Sequence, residues 1–180
     1  MSAAGLLAHS LFRLSSVDPG FRTKGIAGFE VAFPAGGLDQ LPGTYERVLE
    51  ATRSVPGVIS AGWITNQPPE TSAGVFVGFS IPGVQFDSRP FCNFQVTSED
   101  YFTTAGIGFT RGRDFTTRDA AGAPGVAIIN ETLARQFLAN RDPLGQKIIV
   151  QAFGGISERE IVGIIRDVHD LCGSVGLCPV

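Results

Sequence analysis

The sequence predicts an α+β fold that contains more strand than helix. Glycine and proline are abundant, with 23 and 11 residues in a chain of 180, and this usage favours turns and strands over a helical bundle. Hydrophobic residues make up 43% of the chain and charged residues 17%, so enough apolar surface is available to build a core, and disorder is excluded. A strand–helix–strand pattern near the N-terminus is the third indication, because it is typical of a βαβ unit.

The predicted βαβ unit comprises a strand at Ile26–Phe33, a helix at Asp39–Ser54 and a second strand at Val58–Thr65. The helix is predicted from its amphipathic pattern, in which apolar residues recur at helical spacing and charged residues lie largely on the other face. The apolar face carries Leu41, Tyr45, Val48, Leu49 and Thr52. We expect a right-handed crossover between two parallel strands.

Five further strands and two short helices follow. Ser98 is predicted to cap the first of these helices, which ends at Gly106, and Asn130 is predicted to cap the second. Residues 106–115 are rich in turn-forming residues, and Asp142-Pro143-Leu144-Gly145 has the composition of a type I turn. The strands are predicted at Val75–Ile81, Phe91–Thr97, Gly125–Ile129, Lys147–Ala152 and Arg159–Val168, and the buried stripe of the second helix at Leu133, Phe137 and Leu138.

The two ends of the chain differ from the domain predicted at residues 21–168. Within residues 1–20, Leu7, Leu11 and Leu14 have a helical spacing that stops at Asp18-Pro19-Gly20, which predicts the last turns of a longer helix. The charge-free runs elsewhere are shorter than the roughly 18 residues that a membrane span requires. Residues 169–180 fit no element and are interpreted as an atypical tail.

Several function classes are excluded because their motifs are missing. A formal net charge of −3 argues against a nucleic-acid surface, which needs clustered Lys and Arg. The sequence contains no Walker A phosphate loop and no serine nucleophile elbow. Gly106, Gly108 and Gly112 lack the spacing of a dinucleotide-binding loop, and neither His9 nor His169 is placed as a catalytic base. The prediction is therefore a domain with no catalytic residue, no cofactor site and no metal site.

Three clusters each leave two interpretations open. A charged stretch could bind an anion through guanidinium forks, or form a solvated turn whose Asp and Arg residues pair weakly. Four phenylalanines could stack on a cofactor or form an alternating strand core. One His and two Cys could supply three zinc ligands, or belong to an incidental tail, since a structural zinc site needs four ligands. These clusters are Arg111, Arg113, Asp114, Arg118 and Asp119; Phe76, Phe79, Phe91 and Phe94; and His169, Cys172 and Cys178.

Seven stretches, taken together in their order and spacing over residues 11–168, carry a resemblance to a known family. The most specific is Asn130–Phe137 (NETLARQF), and the others lie at 14–22, 55–58, 96–102, 111–115, 142–145 and 161–168. They resemble the periplasmic core domain of MacB-like ABC transporter permeases, and in particular the duplicated permeases common in acidobacteria.

The resemblance implies a fold, a location and a function. The fold would be a ferredoxin-like porter lobe, led by the βαβ unit, with a second β-rich lobe inserted into it. Residues 1–20 would be the remnant of a transmembrane helix and its exit, with three more helices after the domain. The domain would lie on the periplasmic or extracytoplasmic face of the bacterial inner membrane, without an active site. There it would couple ATP hydrolysis by a cytoplasmic ABC ATPase to efflux, together with further permease segments or a second permease half.

The tail departs from the family pattern and keeps other hypotheses open. After Asp167-Val168 the family would continue into more strand, whereas this chain continues into a Gly- and Cys-containing sequence. We therefore expect the domain to be incomplete at its C-terminal end. The alternatives are a stand-alone soluble interaction module, a degenerate non-functional permease fragment, and an enzyme that uses the loop from Arg111 to Asp119.

Overall fold

The computed structural model describes residues 18–31, 41–65, 75–119, 122–152, 155–168 and 177–179. These residues form three α-helices, one 3-10 helix and seven strands. The helices are α1 (Leu41–Arg53), α2 (Tyr101–Ala105) and α3 (Glu131–Phe137), with the 3-10 helix at Thr117–Asp119. The strands are β1 (Val75–Ser80), β2 (Phe91–Gln95), β3 (Phe109–Gly112), β4 (Val126–Asn130), β5 (Lys147–Ala152), β6 (Gly155–Ile165) and β7 (Leu177–Pro179). The predicted α+β class is confirmed.

The strands form one mixed sheet in the order β3-β6-β5-β1-β2-β7, with β4 also paired to β6. Most neighbours are antiparallel, while β4–β6 and β2–β7 are parallel. Strand β6 has 11 residues and serves two groups of strands. Its first half pairs with β5, and its second half pairs with β3 and β4. We use the name sheet body for the described residues from 75 to 168.

The core of the sheet body consists of two clusters. The larger lies between the strands and α3, where the Phe79 ring meets those of Phe137 and Phe86 edge-on at 5.2 and 6.1 Å. The smaller packs α2 against Ile128 and Ile165, both of which are fully buried. The buried apolar residues of the strands thus face these two clusters, and this cover stabilises the segments as strands.

The predicted βαβ unit is wrong in the described residues, although its helix is confirmed as α1. Residues 26–31 form no strand, and Phe29 is 63% exposed. Residues 58–65 are extended but make a single antiparallel bridge, Ile64 to Thr97. The physical reason is that an alternating pattern yields a strand only when a neighbouring strand supplies hydrogen-bond partners. We use the name N-terminal part for residues 18–31 and 41–65.

Elsewhere the predicted elements are found with small shifts. Strand β5 agrees residue for residue, and β1, β2 and β4 agree within two residues at each end. Strand β6 begins and ends earlier than predicted. Two strands were missed: β3 lies in the turn-rich segment, and β7 lies in the tail.

The caps of the short helices agree in one case and differ in the other. The Asn130 side chain accepts a hydrogen bond from Leu133 N, as predicted for the cap of α3. The cap of α2 is Asp100, which has a left-handed backbone with φ 67°, whereas the Ser98 hydroxyl oxygen accepts from Trp63 N at 3.0 Å. Ser98 therefore ties the N-terminal part to the sheet body and does not cap the helix, which corrects the prediction.

The turn predicted at residues 142–145 is present in a modified form. The Asp142 carboxylate accepts from Leu144 N at 3.0 Å, and the turn closes one residue later, where Gln146 N donates to the Pro143 carbonyl oxygen. Gly145 has φ 79°, a conformation that favours glycine. The predicted helical turns at Leu7, Leu11 and Leu14 lie outside the described residues.

Candidate functional surface

The charged stretch from 111 to 119 contains one internal ion pair, between Arg113 and Asp119. The Arg113 guanidinium donates to both carboxylate oxygens of Asp119, at 2.7 and 2.9 Å. Asp119 also accepts from the backbone N–H and the hydroxyl of Thr116. Arg111 pairs outside the stretch, with Asp142 at 2.8 Å. The two arginines are thus already neutralised, which favours the interpretation as an ion-paired turn over that as an anion site.

The titration behaviour of this stretch follows from the same contacts. The hydrogen bonds from Arg113 lower the pKa of Asp119 to about 2, and the same bond raises the pKa of Arg113. Burial raises the pKa of Asp114. Its carboxylate accepts a hydrogen bond from the backbone N–H of Phe115 and makes no ion pair among the described residues.

The four phenylalanines divide into two pairs. Phe79 and Phe94 are buried in the core, whereas Phe76 and Phe91 are 52% and 62% exposed. The sequence predicts this division, because side chains alternate along a strand and the two phenylalanines of each strand are three positions apart. They therefore face opposite sides of the sheet. The interpretation as strand core therefore holds for one residue of each strand, and the other residue lies on the outer face.

Three exposed apolar residues, Phe76, Phe91 and Ile156, lie on this outer face. The strand register places Phe91 opposite Gly78, Gly78 opposite Gln151, and Gln151 opposite Ile156. Ile156 is 75% exposed. Gly78 and Gln151 therefore separate Phe91 from Ile156. The exposed apolar residues of this face do not form one continuous patch, which a contact surface would need.

Asp167 joins the end of β6 to the start of α3. Its carboxylate accepts from Asn130 Nδ2 at 2.7 Å, from Thr132 N at 3.0 Å and from the Thr132 hydroxyl at 2.8 Å. Arg135 lies 4.0 Å away. Because one carboxylate satisfies three donors from another element, it positions α3 on the sheet. No local sequence pattern predicts this role, because Asp167 and its partners lie 35 or more positions apart in the chain.

Two cavities open on the described surface. The larger, of about 480 Å³, includes Arg111, Arg135 and Arg141 in its lining. All three guanidinium groups there are already bound to Asp142, Thr132 and the carbonyl oxygens of residues 82 and 83. The smaller, of about 190 Å³, lies between residues 18–22 and the turn before β3.

The remaining predictions concern metals and membrane helices. Within the described ranges, no group of three His, Cys, Asp or Glu residues is arranged to hold a metal ion. His9, His169 and Cys172 lie outside those ranges, and Cys178 is described only as part of the backbone of β7. In the same ranges, no helix is both long and apolar enough to cross a membrane.

Comparison with known proteins decides the family. The family model described as the MacB-like periplasmic core domain matches residues 14–175. The chain belongs to this family. The narrower resemblance to acidobacterial duplicated permeases stays a prediction. No curated protein sequence matches the chain.

Two solved structures support the fold of this MacB-like domain. The periplasmic region of MacB from Actinobacillus actinomycetemcomitans is similar at a TM-score of 0.54 with 18% identity, over 74% of this chain and 53% of that one. The extracellular domain of the noncanonic ABC-type transporter YknZ from Gram-positive bacteria is similar at a TM-score of 0.51 with 16% identity, over 74% and 61%. The match thus spans less than two thirds of either solved chain. The family, which is described as a periplasmic core domain, supports an extracytoplasmic location.

Proposed function

We propose that the chain is a non-catalytic extracytoplasmic domain of an ABC transporter permease, where it couples ATP-driven motion to export. The match to the MacB-like family over residues 14–175 carries this proposal. The partners would be a cytoplasmic ABC ATPase and further permease segments or a second permease half, with no role for nucleic acid. The domain would lie at the outer face of the bacterial inner membrane.

The joint between the N-terminal part and the sheet body suits such a motion. Helix α1 packs on the segment that follows it, where the Tyr45 and Trp63 rings stack at 4.4 Å. From the end of the same helix, Arg53 donates to Asp100 of the sheet body at 3.1 Å, and both side chains are about half exposed. An exposed ion pair contributes about 0–1 kcal/mol, so this pair can break at little cost while the hydrogen bonds between Trp63 and Ser98 hold the two parts together as a hinge.

The porter lobe predicted from the resemblance is part of the proposal. The extended segments on both sides of α1 leave large apolar side chains uncovered, among them Phe29 at 63% and Ile59 at 100% exposed. We assign these segments to the first half of a ferredoxin-like lobe, in which further permease segments supply neighbouring strands. The solved relatives are compatible with this assignment, because their chains extend beyond the matched part.

A cross-link across the joint tests the coupling. The double variant Arg53→Cys/Asp100→Cys would be placed in the native transporter and treated with a short bis-maleimide in membrane vesicles. The transported compound is defined as the one whose cellular level rises when the gene is deleted. We expect ATP-dependent uptake of that compound into inverted vesicles to fall by at least fivefold after cross-linking.

Each single-cysteine variant, treated with the same reagent, is the matched control and should keep its transport. The native cysteines are present in all three proteins, so their reaction does not affect the comparison. Unchanged transport at high cross-linking yield would overturn the coupling role. Cell fractionation is the second measurement, and recovery of the chain free in the cytoplasm would overturn the location.

A further inference from the structure

The turn that joins α2 to β3 lies between two arginines, Arg22 and Arg166. The backbone N–H of Arg22 donates to the Ala105 carbonyl oxygen at 2.7 Å, and that of Arg166 donates to the Gly108 carbonyl oxygen at 2.9 Å. Ile107, inside the turn, is 4% exposed, so the turn is anchored in the core. The backbone therefore holds the two arginines beside the same short turn, although they are far apart in the sequence.

Two glycines allow both arginine side chains to lie against this turn. A Cβ atom at Gly106 would lie 2.9 Å from Arg22 Cβ and 3.3 Å from its Nε, and one at Gly108 would lie 3.4 Å from Arg166 Nε. The two side chains thus cross glycines that are two positions apart. Both arginine side chains therefore lie along the same short turn, and both residues line the cavity beside it.

A small cavity opens between these arginines, which we call the arginine cleft. Its volume is about 190 Å³, and both arginines are exposed. Among the described residues, neither guanidinium has a hydrogen-bond or ion-pair partner. Its lining residues are Asp18, Gly20, Phe21, Arg22, Gly106, Gly108 and Arg166.

The nearby carboxylates do not cancel the positive charge. Asp18 is in the cleft, and one of its oxygens accepts from Gly20 N at 3.0 Å. Asp167, next to Arg166 in sequence, is occupied by donors at the start of α3. Two guanidinium groups against one carboxylate leave the cleft with a positive charge. Like charges held together repel, and an anion between them relieves that repulsion.

We propose that the arginine cleft binds a phosphate group. Guanidinium forks match the oxygens of phosphate, and several oxygens on one centre can serve two arginines at once. A volume of about 190 Å³ is below the size of pockets that hold drug-sized ligands, which favours a single phosphate group over a whole nucleotide.

The expected source of the phosphate is the headgroup of an anionic phospholipid, and free phosphate is the other source. Arg22 follows directly on residues 1–20, where the sequence predicts the exit of a membrane helix, so the cleft would face the lipid surface. Arginine side chains close to a lipid surface attract anionic headgroups through opposite charge. This choice of source rests on the proposed function, whereas binding of phosphate to the cleft does not.

Titration of the isotope-labelled 180-residue chain with inorganic phosphate tests the site. We expect phosphate to shift the backbone amide resonances of Gly106 and Gly108. Arg22→Gln and Arg166→Gln should each weaken binding about tenfold, the loss of one charge-assisted hydrogen-bonding group. Arg118→Gln is the matched control, because it removes the same charge from an exposed arginine outside the cleft. The melting temperature of each variant is measured first, and it must match that of the native chain.

Flotation with vesicles distinguishes the two sources. Vesicles that contain phosphatidylglycerol should carry the native chain and the Arg118→Gln variant, and leave the two cleft variants behind, whereas phosphatidylcholine vesicles should carry none. Phosphate binding without flotation would support free phosphate and overturn the lipid source. Amide shifts spread over the whole surface, absence of shifts, or equal loss of flotation in all three variants would overturn the site. None of these results depends on the export assay, so the two proposals fail separately.

Discussion

The sheet body and the N-terminal part use similar apolar sequences with opposite results. In the sheet body Phe79, Ile129 and Ile161 are fully buried, whereas in the N-terminal part Ile59 is fully exposed and Ala61 is the buried hydrophobic residue among the described side chains. The difference lies in the partners and not in the pattern. Alternating apolar residues become a strand with a core face only where a second strand or a helix covers them.

The largest expected difference between the two parts comes from truncating one apolar side chain in each. Phe79→Ala removes a buried ring from the cluster with Phe86 and Phe137 and should lower the free energy of unfolding by about 4 kcal/mol. Ile59→Ala should change it by less than about 0.5 kcal/mol, because the side chain is in water in both states. Urea unfolding measures both values. Similar losses of unfolding free energy in the two variants would contradict the difference between the sheet body and the N-terminal part.

Two glycines with positive φ give the next largest contrast. Gly112 has φ 76°, and a Cβ atom there would clash with the Val162 carbonyl oxygen. Gly25 has φ 70°, and apart from its chain neighbours no atom of the described residues lies within 4 Å of its Cβ position. Gly112→Ala should cost about 3 kcal/mol from backbone strain and overpacking together. Gly25→Ala should cost about 1 kcal/mol from strain alone. Equal melting temperatures for the two variants would contradict this expectation.

Two aspartates test whether polar contacts, too, contribute more to stability in the sheet body than in the N-terminal part. Asp167→Ala leaves the donors of Asn130 and Thr132 without their acceptor, and should lower the free energy of unfolding by about 2 kcal/mol. Asp18→Ala removes one exposed hydrogen bond to Gly20 N and should cost less than about 0.5 kcal/mol. Chemical denaturation at neutral pH compares them. A larger loss at Asp18 would mean that the N-terminal part contributes more to stability than its burial indicates.

The smallest expected effect is the acid dependence set by Asp119 in the sheet body. Arg113 lowers the pKa of this carboxyl to about 2 in the folded protein, below its value in the unfolded chain, so the ionised form stabilises the fold. The contribution is complete above about pH 5 and is lost as the pH falls from about 4 to about 2. In a series of melting curves, the Asp119→Asn variant should lose less melting temperature than the native chain as the pH falls from about 4 to about 2. An unchanged acid limb in the variant would show that the pair does not contribute.

The sequence was sufficient for most of the sheet body because its signals are local. Strand β5 is a short apolar run, Ile148 to Val150, that follows turn residues. Asn130 caps α3 through a bond to a residue three positions away. The family resemblance rests on seven stretches in a fixed order, and five of them lie in this part of the chain.

The sequence was insufficient where the deciding contact is distant. Nothing near residues 26–31 shows whether a neighbouring strand is present, so a strand was predicted where none forms. The bonds from Asp167 span 35 to 37 positions, and the arginine cleft joins residues from both ends of the domain. Gly106 and Gly108 were interpreted as turn residues, which they are, but their contact with arginine side chains appears only in the structure.

The length of strand β6 determines how the sheet responds to tension. The hydrogen bonds of its 11 residues lie across the strand direction, so a pull along the strand loads them in parallel and they must shear together. Strand β7 has three residues and shares a short register with β2, so the same pull has few bonds to break there. Under load, the sheet would therefore lose β7 first, while β6 would keep β3, β4 and β5 in register until last.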